Sequence, residues 1–405
     1  MAIGTQPPVI TIRSTLSTSS TNLHVRDVED KIKLLQPYPT PIDNWFITNK
    51  KFATQETTGI RTKFEWYEDQ FLPSSVTLTA GLTGGSPTQA GVAVSGNYFK
   101  QNDVIYIEAT DQVLTVTAVT PGSLTIDVMT SYGGNITATG GGAIAQILAP
   151  SFAEGAAKGT SLSVVAVLKY GYCQIMKKML SMSGRQQSAK LYGGSDWKYQ
   201  WQKALLELRE SVERAWCIQG ASYDEAGGTG RTYSAGFNSL TTNWFTYAGT
   251  LTKATWDNAI KNTMKNGSSN RLMAFAGGDA LTDISAFIQQ IWSIQQTKSS
   301  MSLESYGLLT TSPTSTKLVD YIHPMGIVEI HYSPQLKSKF AGDVILVNPE
   351  NIKKRYAAPD EKGAREYRVE MGIETPGTDS YDSQYLMDSG LQIILEETHG
   401  RLRKL

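Results

Sequence analysis

The sequence predicts an α+β chain interrupted by a small all-β module, and three observations carry that expectation. A stripe of apolar residues at helical spacing runs over 196–219. Between about Ser75 and Pro150, Gly, Thr, Val and Ala dominate, charges are sparse, and short runs of β-forming residues are separated by turn residues. On both sides of that block the chain returns to charged sequence that mixes helical and strand patterning.

Residues 1–24 are rich in Thr, Ser and Pro and poor in large apolar groups, so they cannot bury enough surface to hold themselves folded. An extended arm that orders against something else is expected. Val25, Val28, Ile32 and Leu35 then follow helical spacing, and Pro37, Pro39 and Pro41 stop that helix. From Thr54 to Leu72, Phe64 and Trp66 stand among alternating Thr, Arg, Lys and Glu, as in one long half-exposed strand ended by Pro73. Inside the Gly/Thr/Val block, Val104–Glu108, Val113–Val119 and Leu124–Met129 are separated by Asp111 and Pro121-Gly122, the spacing of a small sandwich or barrel.

Val164, Val165, Val167, Tyr170, Tyr172, Gln174 and Met176 read as strand up to Ser183-Gly184. The longest helix follows: Trp197, Trp201, Ala204, Leu205, Leu208, Val212, Ala215 and Trp216 share one face, Asp196 caps the start and Gly220 ends it. About 24 residues rising 1.5 Å each make a rod of about 36 Å, enough to span a domain. On its polar face Arg209 with Glu213, and Glu210 with Arg214, are four apart and form weak surface pairs. Residues 221–250 read as loop. Thr252 caps a helix to about Lys265, Arg271–Ala276 is a buried strand, Asp279–Trp292 a helix, and 317–332 two strands broken at Pro324-Met325-Gly326. Asp343–Asn348 and Tyr385–Glu397 add further strands.

The chain has 405 residues, 40% hydrophobic and 18% charged, so it can build a sizeable core under a surface rich in uncharged polar groups. Lys plus Arg and Asp plus Glu are 37 each, which leaves no global basic field to draw in nucleic acid and little self-repulsion between copies. The two cysteines, Cys173 and Cys217, lie in apolar stretches without Cys-x-x-Cys spacing, as small core residues do. Met1 to Val9 lacks a basic region followed by an apolar run, and no stretch is long enough to cross a bilayer, so neither export by the general route nor a membrane span is expected.

No constellation of residues carries chemistry, and catalytic, cofactor-binding and metal sites are each expected to be none. Ala226–Thr232, "AGGTGRT", lacks the Gly-Lys-Ser/Thr ending of a phosphate loop and follows a helix instead of a strand. His323 and His331 have no third ligand at a sensible spacing. Asp279 and Asp283 sit at a helix start, where carboxylates suit the helix dipole without being catalytic. Ser183-Gly184 has no nucleophile-elbow context, and the stripe Trp197, Trp201, Trp216 is core before it is a stacking platform.

Several segments, in order, resemble a known family. Val28 to Trp45, with its helix and "LLQPYPTPIDNWF", is similar to an N-terminal arm, "KFEWYEDQFLP" (Lys63–Pro73) to the strand entering an extended loop, and "KYGYCQIMKKMLSMSG" (Lys169–Gly184) to the returning strand. "ELRESVERAWCIQG" (Glu207–Gly220) resembles the end of a spine helix, and "YIHPMGIVEIHYSP" with "GDVILVNPENIKKR" an axial-domain hairpin and the strand after it. The family is that of the tailed-bacteriophage major capsid proteins with the Hong Kong 97-like fold, in particular a capsid family formerly catalogued as a domain of unknown function. The resemblance implies an arm over 1–44, an extended loop over 45–74 and 151–170, an inserted β domain over 75–150, a peripheral domain over 171–250 and 345–405 with its spine helix at 196–219, and an axial domain over 251–344.

It further implies a non-enzymatic structural protein of the virion capsid, made in the bacterial host cytoplasm. Such a protein self-assembles into pentamers and hexamers of an icosahedral or prolate head around phage double-stranded DNA. The partners implied are further copies of the chain, a separate scaffolding protein, a portal protein at one vertex, a possible decoration protein and packaged DNA by non-specific contact, with no membrane and no cofactor. A separate scaffold is expected because the chain reaches its arm almost at once. A Lys to Asn isopeptide cross-link, known in the fold's namesake, needs a buried carboxylate that the sequence does not place. Two other readings stay open: a bacterial nanocompartment shell protein of the same fold, and a carbohydrate-binding surface protein built on the β module.

Overall fold

The computed structural model describes residues 40–47, 53–56, 63–156, 158–159, 161–188, 196–225, 230–267, 269–296 and 319–405. The arm expected over 1–24 and the helix expected over 25–35 lie outside the described residues. The chain divides into two compact units, one of Met1–Phe64 with Tyr170–Leu405 and one of Glu65–Lys169.

The first described element is α1 (Pro41–Ile47), opened by a proline where no intrahelical N–H is required. The single long strand expected over 54–72 is instead two strands in different sheets. β1 (Ala53–Glu56) pairs in parallel with residues 353–356, whereas β2 (Lys63–Glu68) pairs with a strand at 167–172. Alternation marks both stretches as extended, but it cannot show that their partners differ.

The unit Glu65–Lys169 holds six antiparallel strands: β3 (Ser75–Thr77), β4 (Thr88–Ala93), β5 (Val104–Ile107), β6 (Gln112–Thr120), β7 (Thr125–Thr130) and β8 (Ile144–Ile147). Their order is β3-β8-β5-β6-β7-β4. The two end strands then meet: Leu78 bridges Val94, the Thr79 N–H donates to Ala93 O (2.9 Å) and the Ser95 N–H to Thr77 O (2.9 Å). The two end strands thus hold each other at this corner, and the sheet closes as a small barrel. Period-two patterning fills it, with Ile105, Ile107, Leu114, Val116, Ile126 and Val128 inside.

The other unit resumes with β9 (Val167–Tyr172), β10 (Gln174–Ser183) and the short α2 (Gly184–Ser188). The expected long helix follows as one continuous α3 (Asp196–Ile218), although the side chain of Asp196 lies outside the described residues. Residues 221–250 are not all loop: β11 (Tyr223–Asp224), β12 (Thr232–Tyr233) and β13 (Trp244–Tyr247) lie there. Then come α4 (Lys253–Lys265), capped by Thr252 as expected, β14 (Arg271–Ala276), α5 (Gly278–Gln296), β15 (Val319–His323), β16 (Gly326–Tyr332) and β17 (Val344–Val347). The chain ends with β18 (Ile352–Tyr356), β19 (Arg368–Met371), β20 (Ser380–Ile393) and β21 (Gly400–Lys404). Of these four, only β20 was expected, and it starts five residues earlier than its pattern suggested.

Two sheets organise this unit. One runs β1-β18-β20-β10, with β19 also beside β20, and β10 pairs with β20 over ten residues from Gln174↔Ser389 to Ser183↔Ser380. The buried stripe of α3, Ala204, Leu208, Val212 and Trp216, packs on this sheet against Tyr385, Met387 and Leu391. Each such large side chain contributes about 1.5–3 kcal/mol by leaving water. The second sheet runs β13-β21-β17-β14-β16-β15. Its central strands are buried on both faces: Met273, Phe275, Ile345 and Val347 belong to the core of α3, while Leu272, Ala274, Val344 and Leu346 meet Trp256, Ile260 and Ile284 of α4 and α5. Among the described residues no helix is long and apolar enough to cross a membrane.

Candidate assembly surfaces and the ties behind them

β2 and β9 form a two-stranded ribbon. Two strands alone are marginally stable in water, and the ribbon region presents large apolar groups to solvent: Phe71 is 99% exposed, Val165 80% and Tyr67 73%, with Val167, Leu168 and Tyr170 also open. Its root is fixed. Phe64 is buried, and its ring fills space that side chains at Gly171 and Gly390 would take; a Cβ at Gly171 would fall 2.6 Å from the ring and one at Gly390 2.5 Å from Tyr172 O. The Arg355 guanidinium lies 5.8 Å from the same ring.

In the same unit, β10 is paired on one side only among the described residues, by β20. A groove of about 590 Å³ runs between its second half and the first turns of α3, lined by Leu180, Met182, Trp197, Lys203 and Glu207 among others. Lys178 pairs with Glu207 across it at 2.6 Å.

Behind these surfaces α1 is tied to α3 by buried charge. The expected surface pair of Arg209 with Glu213 does not form, because α1 covers that face of the helix. Arg209 Nε meets Asp43 Oδ2 at 2.6 Å and its Nη2 donates to Asn44 Oδ1 at 2.6 Å. Glu213 is fully buried and accepts the Asp43 N–H at 3.1 Å. The second expected pair, Glu210 with Arg214, is present at 3.8 Å. Tyr367 OH donates to Asp43 Oδ2 (2.9 Å), and the buried Lys354 lies 3.6 Å from Asp43 Oδ1 and 2.7 Å from Glu366. Its ammonium also sits 4.9 Å from the Tyr367 ring and 5.6 Å from that of Trp216. Burial works against the Arg209 cation, yet the Asp43 carboxylate outweighs it and raises the guanidinium further. Burial pushes the Glu213 carboxyl well above the usual carboxylate range; the Asp43 N–H opposes this and the Asp43 carboxylate adds to it.

A second buried pair ties the C-terminal strand to the core. Arg401 and Asp343, both fully buried, meet at 2.7 Å, and Arg401 also donates to Cys217 O at the end of α3 (3.1 Å). The sequence alone does not single out Asp43, Lys354, Asp343 or Arg401, and it gives Glu213 only as a surface partner of Arg209. For Lys354 a signal existed: in β18 it shares the parity of the buried Ile352.

The side chains weighed as sites are placed as follows. His323 is in β15 opposite Gly326, while His331 packs in β16 between Trp45 and Phe275, so the two do not converge. Asp283 accepts the Leu251 N–H at 2.8 Å and Asp279 begins α5. Ser183 ends β10, Trp216 is core, and Trp201 packs edge-on to Tyr385. Part of 226–232 lies outside the described residues. Cys173 and Cys217 are both buried and free. Among the described residues no three His, Cys, Asp or Glu side chains gather to hold a metal.

A long helix packed across a sheet in one unit, and a two-stranded ribbon region with exposed apolar side chains, are the features that stand out. The chain matches the SU10 major capsid protein family over residues 12–405 and belongs to that family. Members of such a family assemble into capsid shells, and the α+β class, the long helix and the inserted all-β domain agree with the fold expected for it. Among solved structures, the capsid of cyanophage P-SCSP1u is similar at 7% identity and TM-score 0.49, with 98% of this chain and 97% of that one covered. The capsid of a native GTA particle follows at 8% and 0.48, covering 97% and 99%. The holo-SrpI encapsulin complex of Synechococcus elongatus is similar at 11% and 0.41, covering 59% and 77%. Among curated proteins, none matches the chain in sequence.

Proposed function

We propose that this chain builds the head shell of a tailed phage as pentamers and hexamers around double-stranded DNA, with no catalytic step of its own. The observation that supports it best is the ribbon: its exposed apolar side chains cannot be buried by a two-stranded element and need the surface of another copy. The edge of β10 that has no strand beside it among the described residues, and the groove next to it, offer a strand-sized acceptor. The same reading places the protein in the virion capsid, after synthesis in the host cytoplasm, with a separate scaffolding protein, a portal at one vertex and a possible decoration protein as partners. The neutral balance of charge suits a lining that does not grip packaged DNA.

The test compares the full chain with Phe71→Asp/Val165→Asp by negative-stain microscopy and light scattering, alone and with a candidate scaffolding protein. The parent forms rings or shells, and the variant keeps its circular dichroism and melting profile but stays dispersed. Unimpaired shells from the variant would remove the ribbon from the assembly contact. Shells that fill with cargo protein instead of DNA would favour the nanocompartment.

A further inference from the structure

We propose that Glu213 keeps its proton in the folded subunit, and that this proton closes a latch between α1 and the long helix α3, so that ionising Glu213 releases α1 from α3.

The geometry carries the argument. α1 is the first described element and joins the preceding residues to the core. Its seat on α3 is a closed set of charges: Arg209 and Lys354 supply two cations, Asp43 and Glu366 two anions, with Arg209 to Asp43 at 2.6 Å and Lys354 to Glu366 at 2.7 Å. That set is balanced only if Glu213 is neutral. An ionised Glu213 would add a second carboxylate beside Asp43, at a residue with no exposed surface, and Arg209, which favours the charged form, is already held by Asp43 at 2.6 Å. One Glu213 oxygen accepts the Asp43 N–H, and the other, Oε1, is buried with no hydrogen-bond partner. Asp43 Oδ1 is likewise buried with no such partner. Asp43 Oδ1 has the Lys354 ammonium at 3.6 Å, whereas a buried Glu213 Oε1 without a donor suits a neutral carboxyl and not a second negative charge.

The other groups around the seat do not change the count. From α3, Cys217 lies in the same core, and burial raises its thiol, so it stays neutral. Tyr367, donating to Asp43, is raised by burial and stays a phenol. From β16, His331 packs edge-on to Trp45 at 5.2 Å, and its neighbour Glu329 is matched by Arg271 at 2.6 Å. Glu213 is thus the group at this seat whose ionisation unbalances it.

The sign follows. A carboxyl whose pKa is higher in the folded state favours folding through its proton. This contribution is full below the ordinary glutamate range and is lost as pH rises through the folded value. α1 should therefore loosen towards alkaline pH, not towards acid.

Hydrogen exchange of the α1 amides in the full-length protein, corrected for intrinsic rates and followed from about pH 6 to about pH 10, tests this. In the wild type the opening constant of α1 climbs by up to about tenfold per pH unit once Glu213 begins to ionise. In Glu213→Gln, which is neutral at every pH, the profile is flat at the protected level. A wild-type profile without pH dependence, or a variant that follows the wild-type curve, overturns the proposal. A second measurement does not need the variant to fold. Infrared spectra of wild-type protein with carboxyl-labelled glutamate should show an isotope-shifted band of protonated acid at neutral pH that disappears in alkali. Its absence at neutral pH overturns the proposal equally.

Discussion

His399 shows how burial sets the chemistry of single side chains here. The ring is fully buried, Nδ1 accepts the Asn348 N–H (3.3 Å), and Nε2 faces the carbonyls of Asn351 (3.2 Å) and Ile394 (3.3 Å). Burial lowers its pKa to about 4, the two carbonyls opposing. The folded state then binds fewer protons than the unfolded one, so stability falls as pH drops from about 6.5 towards 4, by roughly 3 kcal/mol at most. Urea unfolding at steps across that range should show the loss, and His399→Gln should lack this component. The pair Asp343 and Arg401 behaves differently. Asp343→Ala strands a buried guanidinium and should cost about 3–5 kcal/mol, while replacing both partners with apolar residues of similar volume should recover most of it. A double-mutant cycle on melting temperature measures the difference. Such residues were illegible in the sequence because their partners are remote. Arg401 stands in "GRLRK", which reads as a solvated tail until β21 is seen between β13 and β17.

Elements with local causes were read well, and those held by distant partners were not. α3, α4, β14 and the β15–β16 hairpin lie close to where periodicity and caps put them, since the determinants are a few residues apart. β13 reads as loop in the sequence because its partner is residues 401–404, and the 54–72 stretch reads as one strand because alternation does not name a neighbour. The same limit explains Glu213: it borders the apolar stripe, and only the arrival of α1 turns that border into interior. For α3, packing on the sheet matters more than propensity. Leu208→Ala removes a side chain from the centre of the core and should cost about 2–5 kcal/mol. An exposed change such as Ser211→Ala should stay within about 0.5 kcal/mol. Chemical denaturation of the two variants side by side checks the contrast.

At the scale of the whole molecule, the core of the barrel shares no residue with the two cores of the other unit. Excising 75–150 should therefore leave Met1–Phe64 with Tyr170–Leu405 soluble and folded, retaining its own calorimetric transition; insoluble product would refute that. Deleting 1–24 removes no residue of any described core, the earliest of which is Ile42, so the subunit should fold while its shells weaken. The closed barrel has a further consequence on a crowded lattice. Hundreds of neighbouring β modules with open flanks would be prone to zip together into fibrous aggregates, and a sheet whose first and last strands already hold each other offers no template for this. The turn at Gly133 and Gly134, both with left-handed backbone, is accordingly a place where a foreign peptide could be carried in every copy without recruiting the modules to one another.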